Sequence, residues 1–161
     1  MEELSIGTIL RIGLNFLDGD DLEYVLLDRK GHTDYDFARF YRLKRTLTKI
    51  EEISQTLDVS AILWQAYPTN PDVGAPLVAG NSLPCEGCKR RYLNPSLRKA
   101  LRGEQNFLDR GEGVVSHYAP VRNSDGDIVG ALELLVGKTE KVDVSCRDMF
   151  VEPREEEDDD E

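Results

Sequence analysis

Four groups of residues in this 161-residue chain have the types and spacing to do chemistry. The first is Cys85-Glu86-Gly87-Cys88, two thiols two residues apart, the spacing of half a tetrahedral zinc site. Cys146, His32 and His117 are the remaining Cys and His side chains from which two further ligands would have to come, and there is no second CxxC. No His follows Cys88, so covalent haem attachment is excluded. A thioredoxin-like pair would open a helix directly after a strand, whereas this one falls in a loop several residues ahead of a helix. Zinc binding, redox sensitivity and loop cysteines without a role therefore stay open, the last being the plainest reading.

The second group, Lys89-Arg90-Arg91, is the compact basic cluster of an acidic chain. Arginine offers a planar fork that matches a carboxylate; the alternatives are a solvated loop or a partner for the acidic tail. The third comprises Trp64, Tyr67, Tyr92, His117 and Tyr118, aromatic walls with polar tips of the kind that line small-ligand sites. Ordinary sheet packing accounts for the same residues. Strand alternation puts Trp64 on one face with Ile62 and Ala66, and Tyr67 on the other with Leu63 and Gln65. The fourth is the pair of histidines, His32 and His117. Neither lies near a nucleophile motif, and GxSxG, P-loop, GxGxxG and HExxH patterns are absent. Nothing in the residue pattern supports catalysis.

The elements that must position these residues are legible from hydrophobic period. Residues 3–17 set Ile6, Ile9, Leu10, Ile12, Leu14, Phe16 and Leu17 on a broad apolar helical surface that ends at Asp18-Gly19. A short helix is expected over 21–27 and a loop over 29–34. In residues 34–57, Phe37, Phe40, Leu43, Leu47, Ile50, Ile53 and Leu57 recur at intervals of three and four, the signature of one buried helical face. Residues 59–67 (VSAILWQAY) read as a strand, residues 68–72 as a turn, and residues 76–79 as a short return strand. Residues 80–91 read as loop, and Asn94-Pro95 opens a helix stopped by Gly103. Strands are expected at 106–109, 113–122 and 127–137, the last two joined by the Asn123-Ser124-Asp125-Gly126 turn.

The net charge is −11, of which residues 151–161 (VEPREEEDDDE) carry eight acids against Arg154, a net of −7. Such a like-charge block is expected to stay disordered. A chain this acidic lacks the positive footprint that nucleic acid requires. No run approaches a membrane-spanning length, and Met1-Glu2-Glu3 has the wrong sign for a signal peptide. Three cysteines, an odd number, suit a reducing compartment. The expectation is cytoplasmic, with an excised extracytoplasmic receptor domain as the alternative.

Two stretches resemble the Cache family of PAS-like sensor modules. The His117-Tyr118-Ala119-Pro120-Val121 strand, its turn through Gly126, and Ile128-Val129-Gly130 look like the Cache hairpin. The Gly19-Asp20-Asp21-Leu22 element, Tyr35 and Tyr41 on the next helix, the aromatic strand at Trp64 and Tyr67, and Ala100-Leu101-Arg102-Gly103-Glu104 fall in the same order as in those domains. The resemblance covers residues 18–137. It implies an antiparallel sheet that holds an amino acid, carboxylate or similar metabolite and shifts flanking helices. Against the family pattern, neither flanking membrane helices nor an attached output domain is expected from these 161 residues.

The reading is an α+β chain with a PAS/profilin-like antiparallel sheet of about five strands and N-terminal helices packed on it. The domain spans 1–137, and 138–161 form an extension and tail. It is expected to be a non-catalytic small-ligand sensor, homodimeric through its N-terminal helices, with a signalling partner and ligand contacts from Trp64, Tyr67, Arg90, Arg91, His117 and Tyr118. No cofactor is expected, zinc at Cys85 and Cys88 being the alternative. The rival functions are a ligand-free Roadblock-type interaction scaffold and a zinc- or redox-responsive regulator.

Overall fold

The computed structural model describes residues 5–24, 34–53, 57–67, 70–80 and 91–137. Helix α1 (Ile6–Phe16) starts where the Ser5 side chain accepts the Thr8 backbone N–H, relieving one of the donors a helix start leaves unpaired. Helix α2 (Gly19–Tyr24) is capped in the same way by Asp18, whose Oδ1 accepts from the N–H groups of Asp20 at 2.9 Å and Asp21 at 3.3 Å. Helix α3 (Asp34–Glu51) buries Leu43, Leu47 and Ile50 along one face.

The period predicted α3 as far as residue 57, and the helix ends earlier. The N–H groups of Glu52 and Ile53 bond three residues back, tightening the last turn. Glu51 Oε2 accepts the Ala61 N–H at 2.9 Å and so ties the helix end to the following strand. A tertiary hydrogen bond overrides a period that would have carried the helix on.

Strands β1 (Val59–Tyr67), β2 (Asn70–Ala79), β3 (Arg91–Tyr92), β4 (Asn106–Gly111), β5 (Val114–Arg122) and β6 (Ile128–Val136) form one antiparallel sheet in the order β3-β2-β1-β6-β5-β4. Helix α4 (Pro95–Leu101) has Asn94 as its N-cap and Pro95 in its first turn, as the sequence predicts. β2 is longer than the expected 76–79, reaching back through Pro71. Among the described residues β3 pairs with β2 only at Val73 and Gly74, so Pro76 has no partner on that edge, and it lies beside the β-bulge between Leu63 and Trp64. β3 itself, where loop was expected, is too short to show a period.

The PAS/profilin-like α+β fold expected from the sequence is the fold observed, five long strands with β3 added at the edge. Helices cover both faces. On one, α1, α2 and α3 pack with Ala61, Leu63, Ala119, Val121, Leu132 and Leu134 into the larger core. On the other, α4 packs with Ile62, Trp64, Val114, Tyr118, Ala131 and Leu135. α1 meets α3 at Gly13, where a Cβ would stand 2.9 Å from Ile50 Cδ1. Among the described residues no helix is long and apolar enough to cross a membrane.

α2 is fixed from two sides. Buried Asp21 accepts a bidentate pair from Arg42, Nε at 2.9 Å and Nη2 at 2.8 Å, with Arg39 Nη1 at 3.4 Å. On the other side, Asp20 Oδ1 accepts the Ser124 N–H at 2.9 Å, and Asn123 Nδ2 donates to Glu23 at 3.1 Å. A Cβ on Gly19 would overlap the Arg122 carbonyl oxygen, which is backbone and cannot rotate away. Gly19→Ala is therefore expected to cost about 1–3 kcal/mol. Gly7→Ala, whose Cβ would meet only Ser5 Oγ at 4.0 Å, should add about 0.5–1 kcal/mol. Urea unfolding of the two variants checks both, and equal effects would overturn the account of α2 docking.

Candidate functional site

β6 carries one acid, Glu133, in an otherwise apolar strand that is covered on both faces. Its neighbours Leu132 and Leu134 point into the larger core, so Glu133 must point under α4, and it is fully buried there. A lone carboxylate in that position would be prohibitively costly, and it is stable only where donors converge on it. Three do. Trp64 Nε1, from β1, donates to Oε1 at 2.8 Å. Ser116 Oγ, from β5, donates to Oε2 at 2.6 Å, and Arg110 Nη2, from β4, reaches the same oxygen at 3.2 Å.

Arg110 binds the group together. Its Nε donates to Ser116 Oγ at 2.9 Å, and its Nη2 donates to the Tyr118 hydroxyl at 3.0 Å. That hydroxyl also accepts from Asn94 Nδ2 at 3.1 Å, while Asn94 Oδ1 accepts the Leu97 N–H at 2.8 Å as the α4 cap. One chain of hydrogen bonds thus runs from the central strands to the helix that covers them. Arg110 keeps 16% of its side-chain surface open, whereas Glu133 keeps none, so solvent reaches this ion pair through Arg110.

The charges answer to this setting. Burial opposes the Arg110 cation, but the Glu133 carboxylate and the Tyr118 hydroxyl more than compensate, and its pKa is raised. The Tyr118 phenol is pushed well above its ordinary value, by burial first and by the Glu133 charge second, against the opposing pull of Arg110. His117 is lowered by burial, which favours the neutral imidazole.

Of the residues singled out in the sequence, Trp64 and Tyr118 meet in this cluster. His117 does not join them: adjacent residues of a strand point to opposite faces, and His117 stands beside Phe107, ring centroids 6.1 Å apart. Tyr67 ends β1 with its backbone opposite Asn70, and Arg91 opens β3 opposite Gly74. Arg90, Cys85 and Cys88 lie outside the described residues, as does His32. Among the described residues no group of three or more His, Cys, Asp or Glu could hold a metal. Glu133, Arg110, Ser116 and Asn94 were missed. The signal for the first was present: an acid amid ALELLV, a run apolar at both parities, has nowhere to go but inside.

No protein-family model matches the sequence, and no curated protein does. Among solved structures the chain is similar to the A. aeolicus nlh2 GAF domain in an inactive state, with a TM-score of 0.43, 12% sequence identity and 88% of each chain covered.

Removing one partner of a buried ion pair leaves the other uncompensated, so Arg110→Met is expected to cost about 3–5 kcal/mol. Adding Glu133→Leu to it should recover a large part of the loss. A urea-unfolding cycle over the two sites reads this, and strictly additive effects would refute the coupling. Tyr118 binds its proton more tightly folded than unfolded, so its contribution is complete below the ordinary value of 10.0 and is lost as pH rises beyond it. The wild type should therefore lose up to about 1.4 kcal/mol per pH unit above that value relative to Tyr118→Phe. Unfolding free energies at about pH 9 and 11 check the slope, and parallel curves would refute it.

Proposed function

We propose that the chain is a non-catalytic sensory or regulatory domain that binds a small carboxylate-bearing metabolite on the α4 side of the sheet. The domain is residues 1–137, with 138–161 as an extension. The observation that carries the reading is the unbroken hydrogen-bond chain from Trp64 through Glu133, Arg110 and Tyr118 to the Asn94 cap of α4. Arg110 is the partly open partner of its ion pair, and a guanidinium already shared among a carboxylate, a serine and a phenol is a ready fork for an incoming carboxylate. A ligand that draws Arg110 toward itself withdraws a donor from the Tyr118 hydroxyl and alters the hold on α4. The differential contact with two arrangements is what a binding signal requires.

Binding suits the cluster better than turnover. The Ser116 hydroxyl is fully buried and committed to Glu133, and Glu133 itself is buried and holds three donors, so neither is poised to attack or to exchange protons with a substrate. A second reading, a ligand-free Roadblock-type scaffold, is favoured by one observation: Trp64, Tyr118 and Glu133 are closed to solvent, at 2%, 0% and 0% exposure. A thermal-shift screen of amino acids and mono- and dicarboxylates distinguishes the two. The sensor reading expects a concentration-dependent rise in Tm with at least one carboxylate, absent with the matching amide and absent in Arg110→Met. A flat screen on well-folded protein would favour the scaffold.

A further inference from the structure

On the solvent side of the α1–α3 crossing lies an open groove of about 610 Å³. Ile12 and Phe16 of α1, Ile50 of α3 and Ile53 just past its end line it, and Arg45 and Lys49 stand along it with Arg42 beyond. Phe16 is 72% exposed there, a large apolar ring left on the surface. An apolar groove edged by cations selects an occupant that offers an apolar side chain followed by negative charge.

The chain carries such a segment. Met149-Phe150-Val151 are followed by Glu152 and then by the unbroken run from Glu155 to Glu161. We propose that this segment of the same molecule docks in the α1–α3 groove, Phe150 against the isoleucines and the acidic run along Arg45 and Lys49.

The path is short. β6 ends beside the start of β1, with the Gly137 N–H donating to the Asp58 carbonyl at 2.9 Å. Asp58 follows Ile53, the groove residue nearest the end of α3, by five positions in the chain. Residues 138–149 can span up to about 40 Å when extended. The groove stretch from Ile53 back along α3 to Arg42 is only about 16 Å long. The order also fits. The segment leaves from the Ile53 end, meets apolar side chains first and then runs with its acids toward Lys49, Arg45 and Arg42. Arg42 already pairs with Asp21, so Arg45 and Lys49 are the principal electrostatic partners.

Docking of residues 149–161 would shield the exposed Phe16 ring from water. Its hold is partly ionic and is weakened by salt.

Two measurements on the full chain test it: amide NMR spectra and sedimentation equilibrium. Phe150→Ser should shift the amides of Phe16, Lys49 and Ile53, and an increase in salt from about 0.05 to 0.5 M should move the same amides in the same direction. Charge reversal by Arg45→Glu with Lys49→Glu should abolish the salt effect, and replacing Glu155, Glu156 and Glu157 by Lys in that background should restore it. These changes should be independent of protein concentration, in a monomer. Groove amides indifferent to Phe150→Ser, or shifts that track a monomer–dimer equilibrium, would overturn the proposal, the latter assigning the groove to a second copy. Because the changes lie at α1 and α3 and not around Arg110, the outcome is independent of whether the domain binds a carboxylate.

Discussion

The structure depends on β6 being apolar on both faces while paired on both edges. Between β1 and β5 it has no open side, so the chain has to supply a helical layer above and another below. The N-terminal helices form one and α4 the other, and the division of the core follows the alternation of β1 and β6 residue by residue. Glu133 is the exception within that strand. It converts the smaller core from a purely apolar contact into one that must be satisfied by particular donors in a particular geometry.

That requirement distributes the cluster over the whole sheet. Trp64 comes from β1, Ser116 and Tyr118 from β5 and Arg110 from β4, while Asn94 sits at the mouth of α4. None of the pieces is near another in sequence beyond the β4–β5 hairpin. A half-satisfied network would be worse than an apolar core, and a complete one fixes the registry of four strands and the seat of a helix at once.

Much of the architecture was legible because it is written in local period and local punctuation. β1 matches its expected residues 59–67, α4 starts at the Asn94-Pro95 signal, and the Asn123–Gly126 turn sits between the two strands it was expected to join. What escaped was non-local. The end of α3 is tied down by the Ala61 N–H, ten residues on, donating to the Glu51 carboxylate, and β3 exists only through pairing with Val73 and Gly74. The site divides in the same way. Trp64 and Tyr118 could be marked by residue type, but grouping His117 with Tyr118 ignored the pleat, and Arg110 could not be picked from twenty basic residues without knowing that β4 lies beside β5.

Two hairpin tips of the sheet, β4–β5 and β5–β6, look alike in sequence, both carrying glycine and acids, yet the fold treats them differently. The β5–β6 tip is gripped by α2 through Asp20 and Glu23, and α2 in turn is gripped by Arg42. The β4–β5 tip, Gly111-Glu112-Gly113, takes left-handed backbone angles at all three residues, and its glycines have nothing within 4 Å of where a side chain would begin. A reporter domain or a new chain break would thus be accommodated at the second tip, and at the first would prise the helical layer from the strands.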